Sequence, residues 1–544
     1  MTKPSQTAPA YTIKNLDHLG LIAGMCKELQ VAEYIDAIAP AKSKDHHLTH
    51  GQLLVSMILN GLGFVSRTLH MYPEYFEDKP IERLIGPDIL AEHINDDALG
   101  RCLDTLYELG VSELYQGLAE RVISQLGLTG KAVHLDITSF HVDGAYAFGD
   151  DDDTQRIQLV KGYSRDHRPE LNQVILELIT ESQAGIPVYL QALNGNTNDQ
   201  AAFKQVVASH LSSLKAAQES RYFVGDSALY VTESLQSLHK QGQLFVSRVP
   251  MKLRAAKLLV QQYRPEALTP MGNGYHGMWS EQNYAGVPQK WLLIFSEHAC
   301  KRERKTLTNN IQKATEQALK YFKKLCNQRY ACHTDAMKAV ADFEKKHKYI
   351  QILEASTDKH PHYQTRGRPK KEQQPNGYEY QVTGVVVTSL EAVKTAQQQS
   401  GLFIIATNDC TATLSMEALL DIYKSQQSVE RGFRFLKSPD FMTSSLYLKK
   451  PERIEALLMV MTCSLMIYAA LEHRIRRGLK EQQCYFPDMH KKPSQTPTAR
   501  WVFFCFSGIH VLQVDDSPPL IVNLIDRHRV ILECLGEQYL KIYS

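Results

Sequence analysis

The sequence lacks paired cysteines. Its ten cysteines, at positions 26, 102, 300, 326, 332, 410, 463, 484, 505 and 534, form no CxxC pair and no Cys/His spacing of a zinc module. That excludes a disulfide framework and a zinc-finger domain, and it fits a cytoplasmic chain with reduced thiols. Charge of one sign is also missing: 61 Lys+Arg stand against 59 Asp+Glu, a formal net of +2. There is no overall polycationic signature, so any nucleic-acid surface must be local. The opening stretch, MTKPSQTAPAYTIKNLDHLG, has no apolar core of a secretory signal. The best membrane candidate, Ala456 to Leu471, is about sixteen residues, short of the ~20 that cross a bilayer. Glu455, Glu472 and the RIRR run flank it, so a buried helix and no membrane partner are expected. With 43% hydrophobic and 22% charged residues, a disordered chain is excluded. A length of 544 residues suggests three to five structural units.

What is present is a change of period along the chain. From Asp17 to about Gln125, apolar residues recur at three and four, as in HGQLLVSMILNGLGFVSRTLHMYPEYF, which predicts an all-helical N-terminal domain over 1–128. After Thr129-Gly130 the period drops towards two in KAVHLDITSFHV, LNQVILELIT, IPVYLQAL, RYFVGD and QLFVSRV. Helical spacing separates the third from the fourth (from Asp199 to Ser220) and the fourth from the fifth (ALYVTESLQSLHKQ). The resulting order, βββαβαβ over 129–250, is that of an α/β, ribonuclease-H-like core. Residues 251–400 mix strand-like runs, a long charged helical segment from Cys300 to Tyr349 and a basic turn-rich loop, and are taken as an insertion domain. The core resumes over 401–480 with the strand GLFIIATND and a helical run, TATLSMEALLDIYKSQQSVERGFRFLK, with Thr411 or Ser415 as N-cap. A mixed C-terminal region, 481–544, follows.

Three carboxylates stand out. Asp136 interrupts the apolar run AVHLDITSF, where a lone buried carboxylate costs several kcal/mol unless something compensates it. A hard divalent cation would do so; a bond to nearby backbone is the plainer reading. Asp226 follows the run YFVG at the C-terminal end of a strand, where α/β sheets build sites and where an Asp also caps helices. Glu430 shares a helical stripe with Tyr423, Gln426, Arg434 and Lys437, which alone would read as a solvated face.

Together, Asp136 on the first strand, Asp226 after the fourth and Glu430 on a late helix resemble the acidic triad of the DDE transposases of bacterial insertion sequences, of the IS-four type and its long-chain branch. That family's signature is Tyr-x2-Arg-x3-Glu-x6-Lys; Tyr423, Glu430 and Lys437 match it, and Gln426 replaces the Arg, with Arg431 or Arg434 available to supply the charge. GYSRDHRPELNQ from Gly162, GNTND from Gly195, VGDSALY around Asp226 and SRVP from Ser247 accompany it, so the resemblance spans about Gly130 to Arg477. The resemblance implies a transposase that binds double-stranded DNA at the element's inverted-repeat ends, hydrolyses phosphodiesters and joins 3′-hydroxyls to target DNA as a homodimer. It implies two Mg²⁺ ions, replaceable by Mn²⁺, on Asp136, Asp226 and Glu430, and phosphate contacts from Tyr423 and Lys437. A structure-specific nuclease of the same fold and a catalytically silent DNA-binding derivative are the alternatives.

Other signals are local. Arg366-Gly367-Arg368-Pro369-Lys370 resembles an AT-hook core, in which arginines enter a narrow minor groove; a solvated basic linker is the plainer reading. Arg248, ending the fifth strand, either faces the scissile region or caps the strand. Trp279 and Trp291 are candidates to stack on a flipped base, or simply core residues. His46, His47 and His50 cluster without a metal-ligand pattern, and Asp150 to Asp153 read as a solvated hairpin tip.

Overall fold

A computed structural model describes residues 11–40, 47–64, 67–142, 156–163, 168–198, 222–363, 374–426, 432, 435–437, 448–515 and 517–544. The chain divides into two units. The first comprises Met1–Arg248, Asn283–Gln289 and Thr407–Ser544; the second comprises Val249–Gln282 and Lys290–Ala406.

Strand β1 (Tyr11–Asn15) precedes seven helices: α1 (Leu19–Glu28), α2 (Val31–Ile38), α3 (His50–Leu62), α4 (Tyr72–Glu77), α5 (Ile81–Leu84), α6 (Asp96–Glu108) and α7 (Val111–Leu126). Thr49 starts α3 through a reciprocal capping box with Gln52, and the Asn95 side chain accepts the Ala98 N–H at the head of α6. The expected leader is helical apart from β1, which corrects the reading of 1–128 as all-helical: these five residues take their strand form from a partner near the other end of the sequence.

Next come β2 (Ala132–Val142), β3 (Asn172–Glu181), β4 (Pro187–Asn194), β5 (Tyr222–Gly225), α8 (Thr232–Lys240) and β6 (Leu244–Arg248). In the first unit these strands lie in the order β4-β3-β2-β5-β6. The first three are antiparallel, and β5 and β6 run parallel to β2, so the sheet is mixed in the ribonuclease-H-like manner. All five strand segments read from the period-two pattern are strands. The helix expected between Asp199 and Ser220 lies outside the described residues, as does the run Asp150 to Asp153.

The second unit contains α9 (Arg254–Gln262), β7 (Thr269–Pro270), α10 (Glu297–Cys326), α11 (His333–Lys346), β10 (Ile350–His362), β11 (Gly377–Thr388) and α12 (Leu390–Gln399), with all but the end residues of β8 (Tyr275–Tyr284), β9 (Val287–Ser296) and β12 (Leu402–Thr407). The helical run expected from Cys300 to Tyr349 is two helices. The chain leaves α10 at Asn327, and the Cys332 side chain caps α11 by accepting the Asp335 N–H. Phe322, Phe343, Ile350 and Val382 form the core between these helices and the β10–β11 ribbon. Trp291 is completely buried on β9 and belongs to a core, which removes it as a base-stacking residue. Trp279 is half-buried, with the Lys290 ammonium 5.3 Å from its ring centroid.

The first unit is completed by α13 (Met416–Lys424), α14 (Pro451–Glu481), β13 (Phe486–Pro487), β14 (Pro493–Ser494), α15 (Ala499–Cys505), β15 (His510–Val514), β16 (Leu520–Val522), α16 (Asp526–Leu535) and α17 (Glu537–Ile542). Ser415 caps α13; the Thr411 hydroxyl instead donates to Asp409. The apolar helix α14 is an interior element, buried along most of its length among the N-terminal helices and the last ones. Gly20 and Gly24 on α1 let the rings of Tyr543 and Tyr539 close in, since a Cβ there would sit 2.6 and 2.5 Å from them. Finally β1 pairs antiparallel with β15, from Tyr11↔Val514 to Asn15↔His510.

Candidate active site

The site begins with the parity of β2. Successive side chains alternate, so His134, Asp136, Thr138 and Phe140 share one face of the sheet. The parallel register to β5 runs Ala132↔Tyr222, Val133↔Phe223, His134↔Val224. Continued by two residues, that register brings Asp136 on β2 opposite Asp226, the first residue past the end of β5. The β5–β6 register ends at Gly225↔Ser247, so Arg248 follows at the level of Asp226. Asp226 just past β5 and Arg248 at the end of β6 therefore lie at the C-terminal edge of the two strands parallel to β2, on the registers that lead towards Asp136. Asp136 and Asp226 are half-buried and Arg248 is exposed.

Local chemistry holds these residues in place. Gly225 is required because Leu229 folds back over it, and a Cβ would lie 2.8 Å from the Leu229 side chain. The Asp226 carboxylate accepts the Ala228 N–H at 2.8 Å, and the Ser247 hydroxyl donates to the Asp226 carbonyl at 2.8 Å. Asp226 is therefore not an N-cap: α8 starts later, with Val231 in that position. Asp136 accepts the Ile137 N–H at 2.8 Å. Another buried carboxylate, Glu177 on β3, pairs in register with Ile137 and so belongs to the opposite face of the sheet.

Glu430, Arg431 and Arg434 lie outside the described residues, as do Arg366, Arg368 and His46. The residues on either side of Glu430 are informative. Ser425 Oγ lies 2.8 Å from His134 Nε2 and donates its single proton to the Ile422 carbonyl at 2.7 Å, so the imidazole must donate through Nε2. Burial pushes His134 down to about 4, which keeps it neutral. At the other end, the Lys437 ammonium lies 5.8 Å from the centroid of Phe140. Ser425 and Lys437 thus meet residues two before and four after Asp136, on the same face of β2. Between these ties Gly432 meets Leu465, and Phe435 stacks on Tyr468 with centroids 4.4 Å apart, fixing the segment against α14.

Of the helical run expected through 411–437, α13 forms Met416–Lys424, and Gln426, Gly432, Phe435 and Leu436 are helical as well. Ser425, which follows α13, keeps right-handed helical backbone angles (φ −61°, ψ −16°) while its hydroxyl makes its two bonds. The stripe is not a solvated face: Gln426 is buried, and Tyr423 and Lys437 are half-buried. A buried Gln426 cannot stand in for the Arg of the resembled signature. The His134–Ser425 tie was not read from the sequence, although His134 stands two residues before Asp136 in a strand. A cavity of about 370 Å³ lies beside this tie, lined by the Ser182–Gly185 turn, Lys424, Ser425, Tyr468 and Arg476; neither strand aspartate lines it.

The two carboxylates offer hard oxygen donors without a thiolate, and His134 Nε2 is committed to Ser425, a set that suits Mg²⁺ or Mn²⁺ better than zinc. Among the described residues no group of three His, Cys, Asp or Glu gathers; His47 instead stacks on His93.

A solved structure, the piggyBac transposase synaptic complex with hairpin DNA, is 10% identical and aligns over 92% of this chain and 83% of that one, with a TM-score of 0.38. No curated protein sequence matches. Residues 11–120 match a domain of unknown function, DUF4277. Residues 132–467 match the family described as Transposase DDE domain, a span that starts at the strand of Asp136 and ends inside α14. More than half of the chain lies in that match, and the protein belongs to the DDE transposases, metal-dependent enzymes that cleave DNA.

Proposed function

We propose that the protein is the transposase of a bacterial insertion sequence, binding the element's inverted-repeat ends, hydrolysing DNA at them and joining the freed 3′-hydroxyls to target DNA. The single observation that supports this reading is the β2–β5 register, which leads from His134↔Val224 towards Asp136 and Asp226, with Ser425 and Lys437 meeting His134 and Phe140 on the face of β2 that bears Asp136. Asp136, Asp226 and Glu430 would hold two Mg²⁺ ions, with Mn²⁺ as a substitute. When bound, such ions stabilise the attacking and leaving oxygens of an in-line displacement at phosphorus.

The chain's own residues do the rest. Lys437, held over Phe140, presents a point charge to a phosphate of the element end, and Tyr423 donates a hydrogen bond. Arg248, level with Asp226, faces the scissile strand, with Arg431 and Arg434 adding charge near Glu430. Arg366 and Arg368 contact the minor groove of an end. A homodimer on paired ends, working on DNA in the bacterial cytoplasm, gives each end one set of carboxylates.

Asp136→Asn removes one charge with little change of shape. It is expected to lower Mg²⁺-dependent nicking of an end-bearing duplex by at least a thousandfold, with DNA binding retained. Near-normal nicking would overturn the assignment of the site. Supplying a precut end with a free 3′-hydroxyl separates the chemistries: joining to plasmid supports transposition, whereas cutting without joining indicates a nuclease.

A further inference from the structure

The chain as a whole is nearly neutral, but α10 is not: its thirty residues carry eight Lys+Arg against three Asp+Glu. At about 100° per residue, seven of those bases fall within an arc of about 140°. They form one cluster of Lys301, Arg302 and Lys305 near the start, a second of Lys320, Lys323 and Lys324 near the end, and Lys313 between. All seven are exposed. The buried residues Cys300, Ala318 and Phe322 lie on the other side of the helix.

This face departs from an ordinary solvated helix, which interleaves signs at i,i+4. Helix α11, in the same unit, does so with Lys338, Asp342 and Lys346. On α10 the corresponding pairs Lys301/Lys305 and Lys320/Lys324 are like-charged, an arrangement that works against the helix. Among the described residues none of the seven forms an ion pair with a carboxylate. The one acid on the stripe, Glu316, accepts from Gln312 at 3.3 Å, and off the stripe Glu303 accepts the Gly401 N–H at 2.7 Å. Glu316, between Lys313 and Lys320, is the single carboxylate on a face that carries seven cations.

From Lys301 to Lys324 the stripe is roughly 35 Å long at 1.5 Å per residue, close to the ~34–36 Å of one turn of B-DNA. We propose that the exposed face of α10 is a sequence-independent docking surface for duplex DNA, its two basic clusters engaging phosphates about one helical turn apart. The partner rests on the DNA-cleaving reading above; the surface itself is far in sequence from Asp136, Asp226 and Glu430, and none of its residues belongs to that site.

The test is binding of the full-length protein to a labelled 40-base-pair duplex of arbitrary sequence, followed by fluorescence anisotropy from 50 to 300 mM KCl. Each phosphate contact contributes about 0.9 to the slope of log affinity against log salt. The triples K301Q/R302Q/K305Q and K320Q/K323Q/K324Q are each expected to reduce the slope by about 2–3 and to weaken binding at least tenfold at 100 mM salt. The corresponding Lys→Arg variants should keep the wild-type slope. If a triple does not fold by circular dichroism, the single variants Lys313→Gln and Lys324→Gln should each lose about one unit of slope. An unchanged slope in the glutamine variants overturns the proposal, and so does unchanged DNA binding with a loss of self-association in sedimentation, which would make the stripe a contact between copies. Asp136→Asn separates this from the catalytic reading: it should bind with the full slope and fail to nick. Stripe variants that bind normally beside an inactive Asp136→Asn would sink the stripe alone. Lost slope in the stripe variants beside an Asp136→Asn that still nicks would sink the active-site assignment alone.

Discussion

Helices α10 and α14 are almost equal in length, thirty and thirty-one residues, and opposite in circumstance. Twenty residues of α14 are buried, whereas on α10 only Cys300, Ala318 and Phe322 are. Helix α14 is apolar on nearly every side because other elements surround it: α1, α3, α6, α7, α16 and β4 all pack on it. Helix α10 has one narrow apolar edge and leaves the rest to water. Length alone says nothing about what a helix is for; the breadth of its apolar arc does. A helix buried all round acts as an axle for its unit, while one exposed on most sides keeps a long surface available.

That contrast can be broken or sharpened by substitution. The largest effect is expected from Leu458→Ala on α14, where a fully buried side chain leaves a cavity. A loss of about 2–5 kcal/mol should appear as a lower denaturation midpoint at unchanged slope; a loss below 1 kcal/mol would deny α14 its role as the axle.

Next is Glu455, near the head of the same helix, where burial and then the neighbouring Glu113 and Glu452 carboxylates raise its carboxyl to about 7. Below the unfolded value of 4.5 the group is protonated in both states and costs nothing. As pH rises through 4.5 to 7 the unfolded chain releases the proton first, so stability falls, and above 7 the full penalty remains. Glu455→Gln should therefore stabilise by about 1–3 kcal/mol at pH 8 and by almost nothing at pH 4.5. Melting of the two proteins across that range checks it, and a pH-independent difference would contradict the assigned burial. The smallest effect belongs to α10: Leu319, 51% exposed, should tolerate Leu319→Ala within about 0.5 kcal/mol in the same denaturation assay.

Much of this architecture was legible because period and burial coincide. The five core strands were readable from alternation or from unbroken apolar runs. Asp136 was conspicuous because a carboxylate in AVHLDITSF violates its surroundings, and the register then sets it beside Asp226. The failures have physical causes. Strand β1 went unread because four of its five residues are exposed and its partner lies some five hundred residues away. The contact of Ser425 with His134 was invisible because it joins residues 291 apart in the chain, and no local pattern announces it. The separation of α10 from α11 falls in NQRYAC, which contains neither Gly nor Pro to announce it. Trp291 illustrates the reverse hazard: a large aromatic invites a role in stacking on bases, and the interior claims it.

The pairing of β1 with β15 sets a timetable for synthesis. Thr12 waits for Gln513, and at 5–20 residues per second that interval is roughly 25–100 s on the ribosome. Until then the first helices lack the aromatic rings of Tyr539 and Tyr543 that close over α1. A chain that stopped before Tyr539 would therefore leave Gly20 and Gly24 uncovered, so that a loss at the end of the sequence is felt at its first helix.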